Sequence, residues 1–169
     1  MPARVRPGSS LPALRVGLIS DTHGLLRAEA KTFLLGCSHI VHGGDIGNAG
    51  ILAQLATLAP CTAVRGNNDK GPWAEALAAS EFVQIGEVFL YVVHDIAQID
   101  IEPNGAGVRV VVSGHSHKPS VEERDGVLYI NPGSAGPRRF SLPVSVAELV
   151  VHGQSVSARI VELAVKNAA

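Results

Sequence analysis

The chain has 169 residues, and its 14 Lys and Arg nearly balance its 15 Asp and Glu, which leaves a formal net charge of −1. This balance excludes a protein that binds nucleic acid through a general excess of basic residues. Hydrophobic residues make up 46% of the chain and aromatic residues only 4%, so aliphatic side chains dominate, as is typical of one domain with buried parallel strands.

The two ends of the chain differ in composition from the middle. Residues 1–13 are rich in Pro, Gly, Ser and Arg and predict a mobile N-terminal tail, while the Ala-rich residues 164–169 predict a frayed C-terminus. The domain is expected over residues 14–163. No apolar run is long enough to span a membrane, and Pro7 and Pro12 interrupt any signal peptide. We therefore expect a soluble, cytoplasmic protein without a membrane partner.

Short apolar runs alternate with helical patterns in the first half of the chain. Asn48 is a suitable N-cap for one helix, and Gly36 is a suitable end for another. The alternation predicts a parallel βαβαβ unit, in which a ligand binds beyond the carboxyl ends of the strands. The predicted strands cover residues 16–19, 39–42 and 62–65, and the predicted helices cover residues 25–36, 49–58 and 72–79.

The second half of the chain predicts mainly strands. Asp125-Gly126 is a strong hairpin signal, and residues 95–107 predict a loop or a weak helix. Together the two halves predict an α/β fold with two packed mixed β-sheets flanked by helices. The predicted strands of this half cover residues 82–86, 88–93, 108–113, 121–123, 127–130, 144–151 and 155–161.

Residue types that bind metals follow the predicted strands. Asp21 and His23 are two residues apart, so their side chains point to the same side if the strand geometry continues to them. His115 and His117 repeat this spacing. Each pair alone is also typical of a polar turn, but ligand-type residues at the end of every core strand favour a metal site. These residues are Asp21, His23, Asp45, Asn67, Asp69, His94, His115 and His117.

The motifs Asp21-Thr22-His23, Gly44-Asp45, Gly66-Asn67-Asn68-Asp69, His94 and Gly114-His115-Ser116-His117 resemble, in order and spacing, those of calcineurin-like metallophosphoesterases. The resemblance covers residues 15–162. Arg65-Gly66-Asn67-Asn68-Asp69 and Asn131-Pro132-Gly133-Ser134 are similar to the small single-domain YfcE/MJ0936 type of bacteria and archaea. The resemblance implies an αββα sandwich that hydrolyses phosphoesters.

The resemblance also implies two adjacent divalent metal ions. Two divalent ions against two carboxylates and a bridging hydroxide leave net positive charge for an anionic phosphate, and such a pair supports in-line attack of the hydroxide on phosphorus. Mn is the expected metal, with Fe, Zn and Ni as alternatives, because the ligands are imidazole, carboxylate and amide without thiolate. The implied ligands are Asp21, His23, Asp45 and His117 for the first metal, and Asp45, Asn67, His94 and His115 for the second, with Asp45 bridging.

Two departures from the family pattern bear on the reaction. Asn68 stands where much of the superfamily has a His that is thought to protonate the leaving group, and an amide cannot do so near neutral pH. The small branch also commonly lacks this His and is linked to phosphodiester hydrolysis, so we predict diesterase activity with Asn68 and Asp69 as supporting catalytic residues. Asp95 follows His94 where the family usually has Gly, and it is either an extra carboxylate near the second metal or a solvated loop residue.

An alternative function is a protein-interaction scaffold. The Vps29 type of sorting-complex subunit resembles this fold but has a degraded site, whereas here every ligand position is filled. The expected partner is a small phosphodiester rather than nucleic acid. Residues 95–107 and 134–142, which would choose the rest of the substrate, carry no recognisable code, and the oligomeric state, including a homo-oligomer, stays open.

Overall fold

The computed structural model describes residues 12–139 and 141–165. Ten strands form two five-stranded sheets in this part of the chain; two of three α-helices connect strands of the first sheet, and the third leads from the first sheet to the second. The helices are α1 (Ala28–Leu34), α2 (Ala49–Ala56) and α3 (Pro72–Glu75). The strands are β1 (Leu14–Ile19), β2 (His39–His42), β3 (Cys61–Ala63), β4 (Ser80–Ile85), β5 (Val88–Val93), β6 (Val108–Val112), β7 (Ser120–Arg124), β8 (Val127–Asn131), β9 (Ser145–His152) and β10 (Ser155–Glu162).

Both sheets are mixed, which confirms the predicted fold class. The first sheet has the order β10-β9-β1-β2-β3, in which β1, β2 and β3 are parallel and β9 and β10 are antiparallel additions. The second has the order β4-β5-β6-β8-β7, with β5, β6 and β8 parallel and an antiparallel strand at each edge. The parallel strands therefore present their carboxyl ends together, where open α/β sheets place ligands.

The main core lies between the two sheets. Val16 and Leu18 of β1 pack with Leu90 and Val92 of β5, and all four side chains are fully buried. Because side chains alternate along a strand, the intervening Gly17 faces the helices, where an added Cβ would collide with the Leu34 side chain. Each buried aliphatic side chain contributes about 2 kcal/mol of hydrophobic stabilisation.

The three helices pack against the first sheet rather than on both sides of the sandwich. Leu34 of α1 and Leu55 of α2 are fully buried with Ile40 of β2. On the other outer face, Tyr91 and Val111 pack with Ile99 and Ile101, which follow a short 3₁₀ helix at Ile96–Gln98. The segment that covers the second sheet therefore also lies beside the carboxyl ends of its strands.

The third helix is shorter than the sequence predicts. It is predicted over residues 72–79 but ends at Glu75, and the amide and the guanidinium of Arg65 donate to Ala78 O and Leu77 O in the chain that follows it. The predicted caps are confirmed. Asn48 accepts a hydrogen bond from Ile51 N at 3.2 Å, and Gly36 adopts φ 82° just beyond α1.

The terminal segments stay predictions. Of the tail expected over residues 1–13, residues 1–11 lie outside the described part of the chain, as do residues 166–169 of the expected frayed end. Within the residues that the structure describes, none of the helices has both the length and the apolar content needed to cross a bilayer.

Candidate metal centre

The seven predicted ligands lie in loops at the carboxyl ends of strands from both sheets. Asp21 and His23 follow β1, Asp45 follows β2 and Asn67 follows β3, all in the first sheet. The remaining three come from the second sheet, where His94 follows β5, and His115 and His117 follow β6. The packing of the two sheets thus brings the two sets of loops to one edge.

Two buried carboxylates form the centre of the cluster. Asp21 Oδ1 lies 3.4 Å from His117 Nε2 and 3.7 Å from His23 Nε2. Asp45 Oδ2 lies 3.3 Å from His94 Nε2 and 3.7 Å from His23 Nε2. Potential ligand atoms of Asp21, His23 and His117 lie within 4.8 Å of one another, as do those of Asp21, Asp45 and His94. Asp21 Oδ1 also lies 4.0 Å from His94 Nε2, so Asp21 reaches three imidazoles and belongs to both groups, whereas Asp45 reaches two imidazoles.

The His94 ring presents a lone pair to this centre. Its Nδ1 lies 2.7 Å from Gly43 O, and because a carbonyl only accepts, Nδ1 carries the hydrogen and Nε2 does not. Among the residues that the structure describes, the buried atoms His94 Nε2 and Asp21 Oδ1 have no hydrogen-bond partner. A cation between acceptors that face one another stabilises them, so the residues fit a divalent metal ion.

The pKa shifts of Asp45 and His94 agree with a divalent metal ion at this position. Burial alone would raise the pKa of Asp45, but His94 and the amide of Asn68 outweigh it and hold the pKa of this carboxyl well below its ordinary value. Burial alone would lower the pKa of His94, yet Asp45 and the Gly43 carbonyl raise it. The site attracts positive charge at His94 Nε2, whether the charge comes from a proton or from a metal ion.

Asp21 is held so that one oxygen faces the site. Its Oδ2 accepts hydrogen bonds from Ser20 Oγ at 2.7 Å and from the amide of His115 at 3.1 Å. Its main-chain carbonyl accepts one from Ser134 Oγ at 2.9 Å. These donors leave Oδ1 alone to face the imidazoles of His23 and His117. Ser20 and Ser134 carry no signal of this role beyond their place beside sequence motifs.

His115 and Asn67 lie at the open side of the cluster. His115 Nδ1 is 3.2 Å from Asn67 Oδ1, and both residues are exposed, whereas the other ligand residues are buried or half-buried. The ring centroids of His115 and His94 are 5.2 Å apart. On its far side His115 Nε2 lies 3.8 Å from Asp95 Oδ2, so Asp95 lies beside the site rather than in solvent.

The ligand side chains do not converge by continuation of strand geometry, and that expectation for Asp21 and His23 is wrong. Strand β1 ends at Ile19, and the amides of Asp21 and His23 donate to Gly44 O and Asp45 O, at 3.0 and 2.9 Å, in the neighbouring loop. These hydrogen bonds turn the backbone into the left-handed region. The ligands with left-handed φ are Asp21 (55°), His23 (47°), Asp45 (56°), His115 (72°) and His117 (64°).

Left-handed backbone at five ligands stores strain in the site. A non-glycine residue in this region costs of the order of 1–3 kcal/mol, and Asp and His adopt it more readily than β-branched residues. The surrounding hydrogen bonds and packing must therefore supply this energy before any ion binds.

Asn68 and Asp69 have different contacts. The amide of Asn68 donates to Asp45 Oδ1 at 2.8 Å, and its side-chain Nδ2 donates to Asp45 Oδ2 at 3.1 Å, so Asn68 contacts a ligand directly. Asp69 is buried and accepts from the amides of Ile46, Gly47 and Gly66 at 2.9, 3.1 and 2.9 Å. Asp69 therefore ties the loop after β2 to the loop after β3.

His42 supports the same loops from the core. Its Nδ1 accepts from the amide of Gly44 at 3.0 Å, and its Nε2 lies 3.0 Å from Thr22 Oγ1, which donates its own hydrogen to Ile46 O. Both contacts require a neutral ring with the hydrogen on Nε2. Burial of this side chain lowers the pKa of His42 to about 4.

His42 is expected to make the protein less stable between pH 6.5 and pH 4. Above pH 6.5 the His42 ring is neutral in both the folded and the unfolded chain. Between pH 6.5 and about pH 4 the ring takes up a proton in the unfolded chain but stays neutral in the folded chain, so a fall in pH favours unfolding. The difference in pKa corresponds to roughly 3 kcal/mol of unfolding free energy. Urea unfolding of chelator-treated protein at pH 7 and pH 4 measures the loss. His42→Gln should make the loss of unfolding free energy between pH 7 and pH 4 smaller by roughly 3 kcal/mol, whereas the control His152→Gln should leave the loss unchanged. Equal losses in the wild-type protein and in His42→Gln would contradict the prediction.

Comparison with known proteins agrees with this geometry. The protein-family model described as "Calcineurin-like phosphoesterase superfamily domain" matches residues 14–154 of this chain. A "Probable metallophosphoesterase" of Methanothermobacter thermautotrophicus is 32% identical over 157 residues, which span 86% of this chain and 91% of that protein. "Phosphodiesterase MJ0936" of Methanocaldococcus jannaschii is 26% identical over 71% of this chain and 83% of its own length.

The solved structure of vacuolar protein sorting 29 from Cryptosporidium parvum shares the fold with a TM-score of 0.72 at 20% identity, covering 89% of this chain and 98% of that one. The chain belongs to the calcineurin-like phosphoesterase superfamily.

Proposed function

We propose that this protein is a dinuclear metal-dependent phosphodiesterase. The observation that carries the proposal is the pair of buried acceptor atoms, Asp21 Oδ1 and His94 Nε2, that have no hydrogen-bond partner among the described residues and converge with neighbouring imidazoles. In the proposal, Asp21, His23, Asp45 and His117 hold one ion, and Asp45, Asn67, His94 and His115 hold the other. Mn²⁺ is the proposed metal, with Fe²⁺, Zn²⁺ and Ni²⁺ as alternatives.

The protein's own groups fix the ligands and leave room for the substrate. Two divalent ions would supply a water of lowered pKa and neutralise charge on the phosphate oxygens, which supports in-line attack on phosphorus. Asn68 orients Asp45 through its two hydrogen bonds, and Ser20 orients Asp21. His115 and Asn67, at the exposed side, leave the second half of the site open to a ligand.

The proposed preference for diesters rests on Asn68. Its Nδ2 donates to Asp45, and an amide does not release a proton near neutral pH, so it cannot assist a poor leaving group. The name of the relative from Methanocaldococcus jannaschii, a phosphodiesterase, supports the same preference. The substrate in this proposal is a small phosphodiester with a leaving group that departs without protonation.

Purified protein loaded with Mn²⁺ is expected to hydrolyse bis(4-nitrophenyl) phosphate at least about tenfold more efficiently than 4-nitrophenyl phosphate, a difference in barrier of about 1.4 kcal/mol. Both substrates release 4-nitrophenol, so the ratio of their kcat/KM values reports the effect of the second ester group and not of the leaving group. The variant Asn68→His should instead raise kcat/KM for diesters whose alcohol is a poor leaving group, because an imidazole can protonate it. Faster turnover of the monoester by the wild-type protein would contradict the proposal.

The interaction scaffold is the alternative function, and the likeness to vacuolar protein sorting 29 supports it at the level of the fold. The filled set of ligand positions favours the enzyme. Metal content measured in the same preparation separates the two functions: two Mn²⁺ per chain with diesterase activity supports the enzyme. Fewer than one ion per chain without activity supports the scaffold.

A further inference from the structure

A cleft of about 530 Å³ opens directly beside the proposed second metal position. His94, Asn67 and His115 form its inner end, and His94 is 5% exposed with its Nε2 directed at the metal centre and unpartnered among the described residues. A group that fills the cleft therefore lies next to a phosphate bound at the metals. Of the two alcohol arms of a diester, one has this cleft available.

Two carboxylates lie along the wall of this cleft, outside its inner end with the imidazoles of His94 and His115. They belong to Asp95 and Asp100, and the only guanidinium among the lining residues is that of Arg65. Arg65 Nη1 is engaged by Leu77 O at 2.7 Å, which holds the cation against the main chain. The cleft away from the metal ions thus carries net negative charge.

Both carboxylates are held in place by donors. Asp100 Oδ1 accepts from the hydroxyl of Tyr91 at 3.1 Å, and Tyr91 itself is 1% exposed. Asp95 Oδ1 accepts from the amide of Ala97 at 3.0 Å, at the start of the 3₁₀ helix. The second oxygen of Asp95 lies 3.8 Å from His115 Nε2, at the inner end of the cleft. The second oxygen of Asp100 and the charge of Asp95 remain to interact with a ligand in the cleft.

We propose that the cleft binds the alcohol arm of a phosphodiester that carries a primary ammonium group, with Asp95 and Asp100 as the residues that determine this specificity. The inference rests on the proposed phosphodiesterase function. A primary ammonium offers three donors to carboxylate oxygens and neutralises the wall, whereas an anionic arm meets two like charges. A neutral alkyl arm leaves both carboxylates without a new partner.

The test compares diesters that differ in one group. In 4-nitrophenyl 3-aminopropyl phosphate and 4-nitrophenyl butyl phosphate, an ammonium replaces a methyl group while the phosphorus and the leaving phenol are shared. With Mn²⁺-loaded protein, kcat/KM should be at least about tenfold higher for the aminopropyl ester, mainly through KM. The corresponding 3-carboxypropyl ester should be the poorest of the three.

Variants of Asp95 and Asp100 test whether these carboxylates cause the preference for the aminopropyl ester. Asp100→Asn removes the charge but keeps an oxygen that can accept from Tyr91, and it should reduce the preference to about threefold. Adding Asp95→Asn should abolish it. Asp125→Asn makes the same change in an exposed turn outside the cleft and should leave the preference unchanged.

A binding measurement without metal separates this inference from the proposed function. In chelator-treated protein, 3-aminopropanol should shift the amide resonances of residues 95–100, and butanol should not; Asp100→Asn should weaken the shift. If the butyl and aminopropyl esters are hydrolysed equally well, the inference is overturned and the diesterase proposal stands. If neither ester is hydrolysed but the ammonium-specific shifts appear, the cleft assignment holds and the diesterase proposal fails. Absence of both the preference and the shifts overturns the inference.

Discussion

Asp45→Asn is expected to lower kcat for an aryl phosphodiester by about 10³-fold, a loss of roughly 4 kcal/mol of transition-state stabilisation. Asp45 Oδ2 lies within 3.3–3.7 Å of His94 and His23, which belong to different halves of the proposed dinuclear site. An amide lacks the charge to be shared between two cations. Mn²⁺ content should therefore fall from two ions per chain to one or fewer.

The same substitution should leave the fold nearly unchanged, which makes the loss of activity interpretable. Asn tolerates left-handed backbone as Asp does, and its Oδ1 can still accept from the amide of Asn68, so the substitution removes only the hydrogen bond from Asn68 Nδ2. Asp125→Asn is a matched control, because Asp125 also has a left-handed φ, 51°, in the turn between β7 and β8. Activity above about one tenth of wild type in Asp45→Asn would contradict the assigned role of Asp45.

Gly66→Ala is expected to destabilise the protein by about 3 kcal/mol even without metal, because it overpacks a buried position. An added Cβ would collide with both the main-chain nitrogen and Oδ1 of Asp45. The amide of Gly66 also donates to Asp69 at 2.9 Å, so the loop cannot retreat without breaking this hydrogen bond. The clash therefore acts on a ligand and on the tie between two loops at once.

Urea unfolding of chelator-treated protein measures this loss independently of metal binding. Gly105→Ala is the matched control, since its Cβ would come no closer than 3.4 Å to another heavy atom, the Cγ of Glu102. That variant should remain within about 0.5 kcal/mol of wild type. A loss below about 1 kcal/mol in Gly66→Ala would show that the loop yields more easily than its contacts indicate.

The predictable part of the fold follows from local patterns. Apolar runs of strand length and the caps at Asn48 and Gly36 place most elements within a few residues of their observed bounds. The third helix is shorter than predicted, and the residues after it bind Arg65 through the carbonyls of Leu77 and Ala78, a contact with a residue outside the pattern that predicts the helix. The covering of the second sheet by Ile99 and Ile101 had no periodic signal, since these residues lie in irregular chain.

The candidate site, like the fold, could be predicted from the sequence only in part. The sequence identifies candidate ligands, because Asp and His at the ends of apolar strands are informative residue types. It did not predict how they are oriented, because that depends on pairs distant in the chain, such as Ser134 with Asp21. The left-handed turn at Asp21 likewise needs the carbonyl of Gly44 as an acceptor in the neighbouring loop.

The hydrogen bonds that Asp69 accepts bear on how the protein acquires its metal ions. The three donors are main-chain amides of the loops after β2 and β3, so these loops are tied by a carboxylate rather than by an ion. In small zinc domains the ion itself folds the chain, and uptake cannot be separated from folding. We therefore expect the folded chain to persist without its ions and to be reloadable. In that case the free ions available throughout the lifetime of the protein set which metal occupies the site, rather than folding fixing it once.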